Sequence, residues 1–164
     1  MKSNYLFPHW LKKIGWIVFI PVFIFFIFCL FNSEIYKEPF YQEMCFHVFA
    51  IVDNTYLDRD TQFFKLVENC VGDELIFCLL VVSGILVGFS KVKVEDEMVS
   101  KIRLESLVWA TYINYAIFLV STIFVYGPAF LDALYINIFS LLLVFIIRFH
   151  WKLYQYNKIY SDEE

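Results

Sequence analysis

The sequence predicts an all-α fold: an integral membrane four-helix bundle with a small helical extracytoplasmic segment between its first and second helices. The chain of 164 residues is 60% hydrophobic and 21% aromatic, whereas soluble domains are roughly 45–50% apolar. Its charged residues lie in clusters between long neutral runs. The longest of these runs, residues 106–126, carries no formal charge. As a helix it is long enough to cross a hydrocarbon core about 30 Å thick.

Four predicted spans follow one another along the chain. Residues 14–31 form an uncharged run that exceeds the roughly 7–15 apolar residues of a signal peptide, and no small-residue cleavage site follows, which favours a retained helix. Residues 75–90 form the shortest span. Residues 106–126 and 130–147 are separated by a Gly-Pro turn, which predicts a helical hairpin. The remaining segments are residues 1–13, an extracytoplasmic segment 32–74, a cytoplasmic connector 91–105 and a cytoplasmic tail 148–164.

Basic residues are distributed unevenly among these flanks. Residues 1–13, 90–105 and 148–164 carry ten of the 13 lysine and arginine residues, and the turn 127–132 carries none. The other three lie in segment 32–74, where nine acidic residues dilute them. Because cytoplasmic flanks are enriched in lysine and arginine, we expect four crossings of the inner (cytoplasmic) membrane, with both termini in the cytoplasm.

Segment 32–74 contains the two cysteines of greatest interest. We expect two short helices in it, over residues 41–52 and 58–70, whose apolar faces fold onto the bundle or the membrane interface. Cys45 and Cys70 would both face an oxidising compartment, where disulfides form and persist. A structural disulfide between them and two buried thiols both stay open as hypotheses.

A GxxxG motif lies in the second span, at Gly84 and Gly88. Small residues one helical turn apart allow the backbone of another helix to approach closely. Packing within the chain's own bundle is favoured over contact with a second copy in a homo-oligomer.

The hairpin register predicts which residues of the third and fourth spans lie side by side, because facing residues have numbers that add up to about 251–256. It predicts an interhelix ion pair between Glu105 and Arg148, and a mid-membrane contact between Asn114 and Asn137. The mid-membrane site also has candidate members on the same helices: Thr111, Tyr115 and Ser140. Hydrogen bonding between helices is favoured there over a ligand-binding site.

Connector 91–105 has acidic residues followed by basic ones, at a spacing that favours a helix through pairs such as Glu97 with Lys101. A solvated surface helix is favoured, and the alternative is a docking face for a cytoplasmic regulatory protein. The docking candidates are Glu95, Asp96, Glu97, Lys101 and Arg103. The sequence has no basic stripe typical of direct nucleic-acid binding. Its histidines and cysteines lack metal-ligand or catalytic spacing, so we assign no metal, cofactor or catalytic residue.

Part of the chain, residues 92–156, resembles a known group of proteins. The shared residues are Glu95-Asp96-Glu97-Met98, Arg103-Leu104-Glu105-Ser106-Leu107, Asn114-Tyr115, Tyr126-Gly127, Asn137 and Phe145-Ile146-Ile147-Arg148-Phe149. In these it is similar to small, uncharacterised bacterial four-helix membrane proteins, whose genes often lie beside one for a helix-turn-helix regulator. The resemblance implies a membrane partner of a regulatory system and implies no catalytic residue.

Three functions fit these observations. The favoured one is a non-enzymatic sensor or regulatory membrane protein whose connector contacts a cytoplasmic partner. The second is a small transporter, channel or lipid-binding protein that uses the mid-membrane polar site. The third is a membrane thiol-redox protein, although such enzymes use a closely spaced cysteine pair, which this sequence lacks.

Overall fold

The computed structural model describes residues 6–31, 44–53, 62–93 and 95–162. These residues form four helices and one two-stranded sheet: α1 (His9–Phe31), β1 (Cys45–Asp53), β2 (Gln62–Cys70), α2 (Gly72–Gly88), α3 (Glu97–Phe124) and α4 (Pro128–Asp162). Three helices are long and apolar enough to span a membrane, over His9–Leu30, Glu97–Phe124 and Ala129–Ile159. The predicted predominance of apolar helices is therefore confirmed.

Helices α3 and α4 form an antiparallel hairpin with defined ends. Asp96 caps α3, because its Oδ1 accepts a hydrogen bond of 2.7 Å from the Val99 amide and so satisfies one of the free N–H groups of the first turn. Gly127 adopts φ +70° in the turn, a conformation that glycine tolerates without steric cost. Pro128 then begins α4, where its missing N–H is not needed.

Both helices of this hairpin extend beyond the predicted spans 106–126 and 130–147. Helix α3 begins at Glu97 within the charged connector, and α4 continues to Asp162, through most of the predicted tail. No glycine or proline interrupts α4 after its first residue, so nothing in its sequence breaks the helix at the point where charged residues reappear. Helix α2 has 17 residues, which corresponds to a length of about 25 Å.

Segment 32–74 differs from our prediction. The expected helices over residues 41–52 and 58–70 are wrong where the structure describes them, because β1 and β2 form an antiparallel hairpin there. Residues 41–43 and 58–61 lie outside the described residues. The all-α prediction is corrected accordingly: the helices are accompanied by a small sheet.

The physical reason lies in the pairing of apolar residues across the two strands. Cys45 is opposite Cys70, and the two form a disulfide. The same register pairs Val48 with Val67, Phe49 with Leu66 and Val52 with Phe63. β-Branched and aromatic residues pack well on a pleated surface and lose side-chain freedom in a helix. The cross-strand pairs therefore outweigh the helical spacing of the apolar residues.

Contacts divide the chain into two compact units, one of Met1–Ile20 with Leu80–Glu164 and one of Pro21–Leu79. In the first unit, Phe7, just before α1, forms a parallel bridge with Ser90, just after α2. The Phe7 amide donates to the Phe89 carbonyl at 3.0 Å, and the Lys91 amide donates to the Phe7 carbonyl at 2.9 Å. The segment before α1 is thereby fixed to the connector that follows α2.

The two glycines of the GxxxG motif pack against α4 of the same chain. A β-carbon at Gly84 would collide with the Leu142 side chain, and one at Gly88 would lie 2.7 Å from Phe145 Cε1. Phe145 is completely buried, so its ring cannot turn out into solvent. The absence of side chains at both positions therefore lets α2 approach α4 within this chain.

We predict that Gly88→Leu destabilises the protein by about 1–3 kcal/mol, the usual cost of overpacking a close-packed interior. Thermal unfolding in detergent measures the change. Val82→Leu adds volume at a position on the same helix that is 56% exposed, and this control should unfold near the wild-type temperature. A Gly88→Leu protein of wild-type stability that loses only self-association would contradict packing within the chain.

Candidate functional site

The first polar cluster joins α3 to the first half of α4 and consists of Asn114, Asn137 and Ser140. The Asn137 side-chain amide donates to the Asn114 carbonyl at 3.2 Å. The Ser140 hydroxyl lies within hydrogen-bonding distance of Asn114 Oδ1 and, at 3.0 Å, of the Asn137 carbonyl oxygen. Asn137 and Ser140 are buried, so these groups largely satisfy one another across the two helices.

The other two candidates for this site lie apart from it. Thr111 donates its hydroxyl to the Leu107 carbonyl of its own helix at 2.9 Å. Tyr115 is 61% exposed, whereas Asn137 and Ser140 are buried. The Asn114, Asn137 and Ser140 groups therefore form hydrogen bonds between the helices. The five predicted residues do not converge on one ligand-binding site.

We predict that Asn137→Leu destabilises the hairpin by about 0.6–1.7 kcal/mol, the range measured for interhelix hydrogen bonds in membrane proteins. Unfolding in detergent with increasing sodium dodecyl sulfate measures this loss. Thr122→Val is the matched control, because the Thr122 hydroxyl donates to the Phe118 carbonyl of its own helix. Equal stability of the Asn137→Leu protein and the wild type would show that the cluster does not hold the helices together.

The second polar cluster lies at the connector end of the helices and is centred on Arg103. This residue is only 6% exposed. Its Nη1 donates to Glu95 Oε1 at 2.5 Å, and its Nη2 lies 3.4 Å from Glu95 Oε2 and 3.5 Å from the Ser90 carbonyl oxygen. Glu95 Oε2 also accepts the Val92 amide at 3.0 Å. The guanidinium therefore links α3 to the residues just before it through a bidentate ion pair with Glu95.

Phe149 of α4 completes this cluster. Its ring is fully buried, with Arg103 Cζ 4.9 Å and Lys12 Nζ 5.8 Å from the ring centroid. Cations at these distances are attracted by the negative face of an aromatic ring. We call Arg103, Glu95, Ser90, Lys12 and Phe149 the Arg103 cluster, and it brings together α1, the connector, α3 and α4.

Two further bonds hold the same end of the molecule. His9 Nδ1 lies 2.9 Å from the Lys91 carbonyl oxygen. Since a carbonyl only accepts, Nδ1 carries the proton. The Tyr156 hydroxyl donates to Asp96 Oδ2 at 2.8 Å, which links the start of α3 to the far end of α4.

Asp96 is the ionisable group most clearly affected by these bonds. The Val99 amide, and after it the Tyr156 hydroxyl, hold the pKa of Asp96 below its usual range. A carboxylate with a depressed pKa contributes stability that is present above its unfolded-state pKa and is lost as the pH falls through the folded-state pKa. The cap and the link to Tyr156 therefore act at neutral pH and weaken in acid.

The predicted ion pair between Glu105 and Arg148 is not formed by these two described side chains. Arg148 instead lies over the Trp109 ring, with its Cζ 4.6 Å from the ring centroid, and Glu105 is exposed. Trp109 is one helical turn beyond Glu105 on α3, so its broad face is within reach of the same guanidinium. A flat guanidinium stacks well on such a ring.

The docking candidates of the connector divide into two groups. Glu95 and Arg103 bond to each other inside the molecule, so they are not available as a surface for a partner. Asp96 is exposed but serves as the α3 cap. Glu97 and Lys101 are exposed on the outer side of α3, and they remain as surface charges.

No protein-family model, curated protein or solved structure matches this chain. The described residues define a class: they are mostly helical, with three helices able to span a membrane and a disulfide-linked β-hairpin. Within the described part of the chain, no group of three or more histidine, cysteine, aspartate or glutamate side chains could hold a metal ion.

Proposed function

We propose that this chain is a multi-pass bacterial inner-membrane protein, a four-helix bundle with both termini in the cytoplasm. In this proposal it acts without catalysis as a sensor or regulatory protein that binds a cytoplasmic partner. The resemblance of residues 92–156 to membrane proteins encoded beside helix-turn-helix regulators suggests the class of partner.

The observation that carries the proposal is the length of the α3–α4 hairpin. One antiparallel register connects Asn114 with Asn137, Arg103 with Phe149 and Asp96 with Tyr156. Helix α3 has 28 residues and is therefore about 42 Å long, whereas a hydrocarbon core is about 30 Å thick. About 12 Å of paired helix is left to project from the membrane, and the charged residues lie at that end.

A fourth crossing would be made by α2, which is the shortest of the four helices. Its roughly 25 Å is a few ångströms short of the hydrocarbon thickness, a mismatch that local thinning of the bilayer accommodates at a modest free-energy cost. The β-hairpin would then lie outside the cytoplasm, where its disulfide persists. The polar groups at mid-membrane bond to one another across α3 and α4, which favours a regulatory role over transport.

The partner surface we propose is the outer side of α3, at Glu97, Met98 and Lys101. All three are exposed, and Met98 offers an apolar contact between two charges. A single exposed apolar residue is ordinary on a protein surface, so the two charges would provide the specificity of the contact. The buried ion pair between Glu95 and Arg103 fixes the position of the start of α3, where this surface lies.

Co-purification tests this function. The tagged protein, extracted from its native membrane in mild detergent, should retain a cytoplasmic DNA-binding protein. Glu97→Lys with Lys101→Glu should reduce that recovery by about tenfold or more, since buried like charges at an interface cost several kcal/mol. Lys152→Glu on α4 is the control and should leave recovery unchanged. Unchanged recovery with the double variant would refute docking at this surface.

A further inference from the structure

Lys12 is the basic residue of the Arg103 cluster that has no carboxylate of its own in the part of the chain that the structure describes. Its ammonium lies over the buried ring of Phe149, and the residue is half-buried. The carboxylate of the cluster, Glu95, is engaged by both Nη atoms of Arg103. Among the residues that the structure describes, no carboxylate forms an ion pair with Lys12.

The surroundings of Lys12 are suited to an anion. Arg103 contacts the same aromatic ring and adds a second positive charge, and its Nε atom is buried without a hydrogen-bond partner in the described chain. An ammonium that is partly withdrawn from water is costly unless it is paired. The described residues of the cluster therefore provide two cations and one carboxylate that is already paired, so one further negative charge would balance the cluster.

We propose that Lys12 binds the phosphate of an anionic phospholipid head group in the cytoplasmic leaflet. This inference rests on the proposed membrane orientation, which places Lys12 just outside the span 14–31, at the depth of the head groups. Basic pockets between transmembrane helices on the cytoplasmic side are a recurrent site for acidic lipids. A free phosphate would offer the same chemistry from the aqueous side.

Binding there would connect elements that are distant in the sequence. Lys12 belongs to α1, while Arg103 and Phe149 belong to α3 and α4. A phosphate on Lys12 would relieve the repulsion between the two cations and strengthen the packing of α1 on the α3–α4 hairpin. The lipid would thereby stabilise the end of the molecule that presents Glu97 and Lys101.

Native mass spectrometry of the purified protein in detergent tests the proposal, with phosphatidylglycerol, phosphatidylcholine and inorganic phosphate as separate probes. Wild type should bind phosphatidylglycerol more tightly than phosphatidylcholine. Lys12→Gln should weaken phosphatidylglycerol binding by about tenfold, as expected for the loss of one charge-assisted hydrogen bond. Lys12→Arg should stay within about threefold of wild type, because the charge is kept.

Lys13→Gln is the matched control: it removes the same charge from the next residue of α1, which is exposed. Equal loss in the Lys12→Gln and Lys13→Gln proteins would overturn the proposal, because it would indicate general attraction to a basic surface. Tight binding of inorganic phosphate that excludes the lipid would overturn the lipid as the source.

A measurement on wild type avoids any effect of substitution on folding. Phosphatidylglycerol binding should weaken as sodium chloride is raised, because salt screens exposed and partly exposed charges. Salt-independent binding would overturn the proposal. Since this assay uses purified protein in detergent, its failure is distinct from failure of the regulatory function, which co-purification tests.

Discussion

Replacement of Arg103 by alanine is expected to destabilise the protein by about 3–5 kcal/mol, the cost of removing one partner from a buried ion pair. The substitution leaves the Glu95 carboxylate without its cation and the Ser90 carbonyl without its long contact to Nη2. It also removes the guanidinium from the Phe149 ring. Of the substitutions considered, this one disconnects the most elements at once.

Thermal unfolding in detergent, followed by circular dichroism, measures the loss. Lys101→Ala is the control, because Lys101 is exposed on the same helix and surface substitutions usually change stability by less than about 0.5 kcal/mol. Glu95→Met combined with Arg103→Met should recover most of the stability, since a well-packed apolar pair replaces a buried ion pair at little cost. An Arg103→Ala protein as stable as Lys101→Ala would contradict the buried ion pair.

Replacement of Cys45 and Cys70 by serine is expected to destabilise the β-hairpin by about 3.5 kcal/mol, as calculated for a loop of this size. The disulfide joins residues 25 apart. An isolated two-stranded hairpin is marginally stable in water, and this one exposes most of its large apolar side chains. We therefore expect the strands to separate when the disulfide is removed.

Trypsin cleavage after Lys65 measures the opening of the hairpin, because Lys65 lies in the middle of β2. Cleavage should become many times faster in the double serine variant. The control replaces Cys29 and Cys78, which are free thiols outside the strands, and should leave the rate unchanged. Reaction of Cys45 and Cys70 with maleimide before any reduction would show that the disulfide is absent.

The sequence predicts the helices better than the segment between them. Helical hairpins are dictated locally: a long neutral run, a Gly-Pro turn and a second neutral run leave few alternatives. The register followed from the turn alone, and the contact of Asn114 with Asn137 lies where that register places it. The helix ends were less predictable, because Glu97 and Asp162 lie in charged sequence that continues the helices without a break.

The β-hairpin could not be read from spacing within one strand, because its apolar residues fall on both faces. Its signal is long-range. When Cys45 is placed opposite Cys70, each of the apolar residues Val48, Phe49 and Val52 acquires an apolar partner. Pairing Cys45 with Cys70 is therefore enough to predict the register of the sheet. The helix-like spacing of apolar residues within 41–52 predicted the wrong secondary structure.

The contacts of the Arg103 cluster could be predicted only in part from the sequence. The hairpin register already placed Phe149 beside Arg103, so their contact could have been anticipated. The bond from Arg103 to Glu95 spans eight residues and depends on how the connector turns before Asp96. Lys12 comes from the far end of the chain, and neither periodicity nor local charge pairing connects it with Phe149.

The proposal that four helices stand in a membrane with both termini in the cytoplasm is tested most directly by labelling with a membrane-impermeant maleimide in intact cells. Single cysteines replace Lys13, Lys65 or Lys158, all exposed, in a background that lacks the free thiols Cys29 and Cys78. Lys65→Cys should react in intact cells, and the other two only after the membrane is permeabilised. Reaction of Lys158→Cys in intact cells, or protection of Lys65→Cys, would contradict the proposed orientation.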